Sequence, residues 1–188
     1  MEATDESVRL MLAFRDGDES AFDALFHRWA GPLLRYVERM VPDTGTAEEL
    51  VQEAFLRVHG ARDRYSPEAR FSTWLYRIAT NLALNELRRP RRKVRHESTF
   101  DDEGSPVDLR AEQPDVDDLV AARRAGSALE AGLEALPERQ RVALLLSAVE
   151  GFSYAEVAGT LETTEKSVKA LVHRARSALA ARMKEEGS

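Results

Sequence analysis

The chain has 188 residues, 43% of them hydrophobic and 32% charged, with a formal net charge of -6 and no cysteine. That is apolar material for one ordinary packed core or two small ones, and the missing cysteines exclude disulfides, thiolate zinc sites and cysteine nucleophiles. No apolar run approaches the roughly 20 residues that span a bilayer, and the acidic start MEATDESVRL is unlike a secretory signal, so a cytoplasmic protein without membrane insertion is expected.

In chain order, the first strong periodicity joins Phe22, Leu25, Phe26, Trp29, Leu33, Val37 and Met40 at spacings of three and four, one face of a helix. Gly31-Pro32 falls inside it and is expected to kink or split it. A second helix is predicted to open at Thr46, with Glu49 three residues on in a capping-box pattern. Its buried face would be Leu50, Val51, Ala54, Phe55 and Val58.

The third helix, FSTWLYRIATNLALNELRR over residues 71–89, takes Ser72 as its predicted N-cap and Leu75, Ile78, Ala79 and Leu82 as its inward stripe. Its other side carries Trp74, Arg77, Asn81, Asn85 and Arg88. Aromatic rings stack on unpaired bases, asparagine amides both donate to and accept from a base edge, and arginine neutralises phosphate. Such a face suits partly single-stranded DNA, although for Trp74 taken alone the core is the better assignment.

After a basic run from Arg88 to Arg95 the periodicity vanishes, and residues 96–114 read as a flexible linker. Over residues 97–118 nine acidic side chains stand against Arg110 alone, a local charge of -8, which leaves +2 for the rest of the chain. The acidic total is therefore compatible with nucleic-acid binding elsewhere. Composition alone leaves the segment equally readable as a nucleic-acid mimic or a solubilising spacer.

Beyond it, Leu119, Ala122, Leu129, Leu133 and Leu136 suggest a helix, Pro137 starts another through Val149, and Gly151 suits its stop. Two shorter helices are expected to complete the chain. With neither strand patterns nor internal repeats, the predicted fold is all-α: two small helical domains joined by the acidic linker.

The last stretch, SYAEVAGTLETTEKSVKALVHRARSAL, has the grammar of a helix-turn-helix, with Ser153 and Glu156 as a capping box and Glu162-Thr163-Thr164 as the turn. Val168, Leu171, Val172, Ala175 and Leu179 form the packing stripe of its second helix. Lys166, Lys169, His173 and Arg176 lie on another side, where a major groove could receive them. The alternative is a solvated basic face on a surface helix.

Enzyme classes find little support. His27, His59, His96 and His173 lack paired metal spacing, no glycine-rich phosphate loop occurs, and Asp16-Gly17-Asp18 lacks the other ligands of a calcium loop. No catalytic residue, metal site or cofactor is expected. The competing functions are a stand-alone helix-turn-helix regulator of duplex DNA and a helical protein-interaction module.

Four segments in order, AEELVQEAFLRV, FSTWLYRIATNLALNELRR, LPERQRVALLLSAVEGFSYAEVAGTL and SVKALVHRARSAL, resemble a bacterial RNA polymerase sigma factor of the extracytoplasmic-function (ECF) group of the sigma-70 family. The resemblance implies a domain two over residues 5–95, the linker 96–114, and a helix-turn-helix domain four over residues 115–184. It implies binding to core RNA polymerase at the clamp helices of the largest subunit and at the flap, promoter recognition and melting, and an anti-sigma factor as partner. By motif match, Glu48, Glu49, Leu50, Val51, Gln52 and Phe55 fall in the polymerase-binding segment. Trp74, Arg77, Asn81, Asn85 and Arg88 would meet the minus-ten element, with Tyr65 in the base-capturing loop 63–70. Thr164, Ser167, Lys169, His173, Arg174 and Arg176 would meet the minus-thirty-five element. At Leu171 many relatives carry a basic residue, so one contact would be absent.

Overall fold

A computed structural model describes residues 5–89 and 129–186; the predicted linker, with Leu119 and Ala122, lies outside the described residues. The amino-terminal half comprises α1 (Glu6–Arg15), α2 (Glu19–Glu38), α3 (Thr44–Gly60), a 3-10 turn (Arg62–Arg64) and α4 (Phe71–Arg88). The carboxyl-terminal half comprises α5 (residues 129–134), α6 (Glu138–Leu144) with a π-helical continuation (Leu145–Val149), α7 (Tyr154–Thr160) and α8 (Glu165–Glu186). Among the described residues there is no strand, as the periodicities implied.

Helix α1 was not foreseen, because its ten residues carry a short apolar signal. Asp5 caps it by accepting from the Ser7 amide at 3.0 Å, and it buries Val8, Met11 and Phe14. The Asp16-Gly17-Asp18 tripeptide is the turn that follows. Gly17 holds φ +107°, a left-handed conformation that favours glycine, and Asp18 caps α2 through the Ser20 amide at 3.0 Å.

Three local expectations need correction. Helix α2 is not split at Gly31-Pro32; it runs unbroken through Pro32, because proline forfeits one helical donor while Leu25, Leu33, Tyr36 and Val37 anchor both sides in the core. Helix α3 starts before Thr46, since the Asp43 carboxylate is the cap, accepting from the Thr46 amide at 2.6 Å and hydroxyl at 2.7 Å. Helix α4 starts at Phe71 after Arg70, with no side-chain cap, so Ser72 is already inside it. The fully buried Phe71 ring fixes that entry.

Met11, Phe14, Leu25, Leu33, Tyr36, Leu75 and Ala79 fill the first core. Inside it the Tyr36 and Thr80 hydroxyls bond at 2.7 Å, which satisfies two polar atoms that would otherwise be buried alone. Burial pushes the Tyr36 phenol well above its ordinary pKa.

In the second half, Pro137 precedes α6, and Gly151 at φ +72° ends the π segment. The Ser153–Glu156 capping box is present, with carboxylate and hydroxyl each accepting from the other's backbone amide. Glu162, at φ +49°, makes the tight turn into α8. At 22 residues, α8 is longer than the other described helices rather than one of two short pieces. Val157, Val168, Val172 and Ala175 pack the two helices together.

The halves also pack on each other. Helix α4 meets α7: Tyr76, fully buried, lies 5.3 Å from the Phe152 ring and donates to Glu150 at 2.7 Å. Thr73 donates to Glu156 at 2.8 Å. The buried Arg141 guanidinium reaches from α6 to the Met40 carbonyl at 2.8 Å while donating to the Glu134 carbonyl at 2.6 Å.

Candidate nucleic-acid interface

Three surfaces carry the residues singled out from the sequence. On α3, Glu48, Glu49 and Gln52 are exposed and Leu50 is half-buried. Val51 and Phe55 face inward, 6% and 3% exposed, so they are core residues and present no side-chain surface to a partner. The Phe55 ring instead packs against Phe26 at 4.8 Å. What the sequence reading missed is apolar: Leu56 is 67% exposed and Phe26 40%. Leu56 sits four residues after Gln52 on the outward register, a signal that periodicity contained. Together these residues form a polar and apolar patch of the kind protein interfaces use.

On α4 the division into two faces holds. Leu75, Ala79 and Leu82 are buried and Ile78 packs half-buried against them. Arg77, Asn81, Asn85 and Arg88 are exposed along one side. Trp74 is shared between the two roles, half-buried against the core yet lining an open cavity. Its ring lies 5.1 Å from Tyr65 and 5.9 Å from Phe71.

Tyr65 projects from the loop after the 3-10 turn and is itself only 7% exposed. Its phenol oxygen has no hydrogen-bond partner, and burial raises its pKa. Tyr65, Trp74, Arg64 and Arg77 line one side of a cavity of about 680 Å³. A space of that size, with stacking rings, flanking guanidinium groups and a free phenol, can hold a planar heteroaromatic ring. The opposite wall belongs to α7: Ala155, Glu156, Gly159 and Thr160.

On α8, Lys169, His173 and Arg176 line one recess together with Tyr154 and Val172. Arg174 is exposed but is not among those lining it. Leu171 is half-buried against the core and adds no cation to the row of Lys169, His173 and Arg176. Thr164 and Ser167 serve the helix first: the Thr164 hydroxyl accepts from the Ser167 amide and donates to its hydroxyl, both at 3.2 Å. Their exposed edge at the helix start still offers hydroxyls to a phosphate.

Glu156 joins the two halves electrostatically. Burial pushes its carboxyl up, but hydrogen bonds from the Ser153 amide and hydroxyl and the Thr73 hydroxyl, with the positive charge of nearby Arg70, outweigh it and hold the pKa below the ordinary value. Burial is the main cause that lowers the Arg141 pKa.

A family model described as Sigma-70 region 2 matches residues 25–93, and one described as Sigma-70, region 4 matches residues 127–179. The ECF RNA polymerase sigma factor SigE of Mycolicibacterium smegmatis is 34% identical over 182 residues, 95% of this chain and 69% of that protein. The RNA polymerase sigma-H factor of Pseudomonas aeruginosa is 30% identical over 184 residues, 95% of this chain and 94% of that one. Among solved structures, CnrH in complex with the cytosolic domain of CnrY is similar in fold, with a TM-score of 0.69 at 24% identity over 96% of this chain and 99% of that chain. With both sigma-70 regions matched in order and relatives aligned over nearly the whole length, the chain belongs to the ECF group of the sigma-70 family of RNA polymerase sigma factors.

Proposed function

We propose the following division of labour for this sigma factor. Its α3 patch, Glu48, Glu49 and Gln52 with Leu56 and Phe26, docks on core polymerase. The exposed α4 face and the Tyr65–Trp74 cavity take the minus-ten strand as it unpairs, and Lys169, His173 and Arg176 on α8 hold the minus-thirty-five duplex. Extruding a base costs a few kcal/mol, which a stacking cavity offsets for the right base, so recognition and melting become one event.

The observation that carries this reading is the separation on α4. Leu75, Ala79 and Leu82 are fully used by the core, so Arg77, Asn81, Asn85 and Arg88 remain as an exposed polar row with no role in holding the fold. A duplex-binding regulator has no use for that row. The chain makes no covalent bond of its own in this scheme; the polymerase does.

An anti-sigma partner fits the same reading, supported by a fold neighbour solved with one: the sigma factor RpoE of Bartonella quintana in complex with the anti-sigma factor NepR. No helix among the described residues is long and apolar enough to cross a membrane, and in this reading the chain works in the cytoplasm, where it would meet polymerase. The test is to mix the purified chain with core polymerase and a promoter-fragment library. Sequence-selected open complexes and transcripts are expected only when both proteins are present; equal selection by the chain alone on duplex DNA would favour the regulator.

A further inference from the structure

Nothing at the tip of the Tyr65 side chain fixes where its ring stands. The phenol oxygen is buried without a hydrogen-bond partner, so the ring's offset from Trp74, 5.1 Å between centroids, is set by packing and by the backbone that carries it. That backbone leaves the 3-10 turn, with the Tyr65 amide donating to the Arg62 carbonyl at 3.2 Å. What places the turn therefore places one stacking wall of the cavity.

The turn is held from α1 and the start of α2. The Arg62 guanidinium lies over the Phe14 ring, 5.3 Å from its centroid, and its Nη1 donates to Glu19 at 2.7 Å. Phe14 is a firm platform, fully buried near the end of α1 with the Phe22 and His59 rings 4.9 and 5.1 Å away. Glu19 opens α2 directly after its cap, Asp18. Arg15, the last residue of α1, reaches the Tyr65 carbonyl with Nη1 at a long 3.5 Å. At the other end of the helix, the charge of its cap Asp5 adds to burial in raising the Tyr65 pKa. Helix α1 thus acts on Tyr65 from its backbone to its phenol, whereas Arg62 and Glu19 do not line the cavity themselves.

We propose that Arg62 is a positioning residue for base capture: clamped between the Phe14 ring and the Glu19 carboxylate, it sets the stand of Tyr65 against Trp74 and so determines how sharply the cavity tells one base from another. The clamp acts through Tyr65 and touches no base. Hydrogen bonds to a base edge weaken steeply with misalignment, so a loosened wall costs discrimination. The inference rests on the reading of this cavity as the minus-ten base site.

The test uses the full chain with core polymerase and a promoter selected from the fragment library, varied one unpaired minus-ten base at a time. The captured base is the one whose identity stops mattering to open-complex formation in Tyr65→Ala. At that base, Glu19→Gln removes the charge of a residue outside the proposed DNA and polymerase surfaces. It should lower the preference for the best base about threefold, the worth of one exposed ion pair, with core affinity and thermal midpoint unchanged. Arg62→Met should do at least as much, and Arg62→Lys, which keeps a cation over the ring, should retain more of the preference. In a Tyr65→Ala background Glu19→Gln should have no further effect, because the two then share one path. Amide exchange at Arg64 and Tyr65 should quicken in Glu19→Gln even without polymerase.

An unchanged base preference in Glu19→Gln and Arg62→Met overturns the inference, as does a thermal midpoint that falls in step with the preference. So does an Arg62→Met variant that weakens all bases alike and lowers the salt slope by about 1, the mark of a phosphate contact. Failure of the cavity reading looks different: Tyr65→Ala itself would then leave every base preference intact.

Discussion

Replacing Asn81 by alanine separates DNA chemistry from folding. Asn81 is exposed in the middle of α4, and its side chain makes no hydrogen bond to a described residue. The substitution removes nothing that holds the domain, and alanine is the better helix former by roughly 0.5 kcal/mol. The thermal midpoint is therefore expected to hold or to rise by about 2–4 °C. If the amide reads a base edge, losing a bidentate pair costs about 1–3 kcal/mol, a drop of roughly fivefold to a hundredfold or more. Two assays divide the outcome: titration of the variant with core polymerase, and permanganate reactivity of unpaired thymines in the promoter complex. Core affinity should stay within twofold while open-complex formation falls. Unchanged melting with unchanged promoter preference refutes the assignment, as does an equal loss of core affinity.

Tyr36→Phe leaves the buried Thr80 hydroxyl without its 2.7 Å partner and should cost about 1–3 kcal/mol of stability, whereas Tyr36→Phe with Thr80→Val should recover much of it; a denaturant titration in which the double variant is the less stable counts against the pair. Glu156 has its pKa held below the ordinary 4.5. A carboxyl depressed in the folded state contributes fully above its unfolded value, and that contribution is lost as pH falls through the folded one. Glu156→Gln should accordingly flatten the acid limb of the midpoint-against-pH curve, and superimposable limbs would reject the role. Lys169→Ala should weaken upstream-duplex binding by similar factors on all sequences and lower the salt slope by about 1; an unchanged slope places Lys169 off the phosphates.

Local rules were readable where the determinants were local. The Ser153–Glu156 capping box, the stop at Gly151 and the packing stripe Val168, Val172 and Ala175 all follow from residues within a few positions of one another. Helix starts were harder, because several residues near each start can cap. Asp43 displaced Thr46, and the buried Phe71 made a cap at Ser72 unnecessary. Proline at 32 reads as a breaker only until the core contacts on both sides of it are counted.

The sites divide in the same way. Periodicity placed Asn81, Asn85 and Arg88 on a face apart from Leu75 and Ala79, because one helix settles which of its residues share a side. It could not say that Val51 and Phe55 are wholly internal or that Leu56 is bare, since that depends on which neighbouring helix covers α3.

What the sequence determined by itself is an order of helices, the two faces of α4 and α8, and the family that those motifs spell. Only the tertiary structure decided the bonds from Tyr76 to Glu150 and from Thr73 to Glu156. These pairs are 74 and 83 positions apart along the chain, and no periodicity links them. The same holds for Trp74. Its half-burial is set by Tyr65 and Phe71 on one side and the open cavity on the other. A side chain's place between core and surface is fixed by what packs over it, and for α4 part of that cover comes from the other domain.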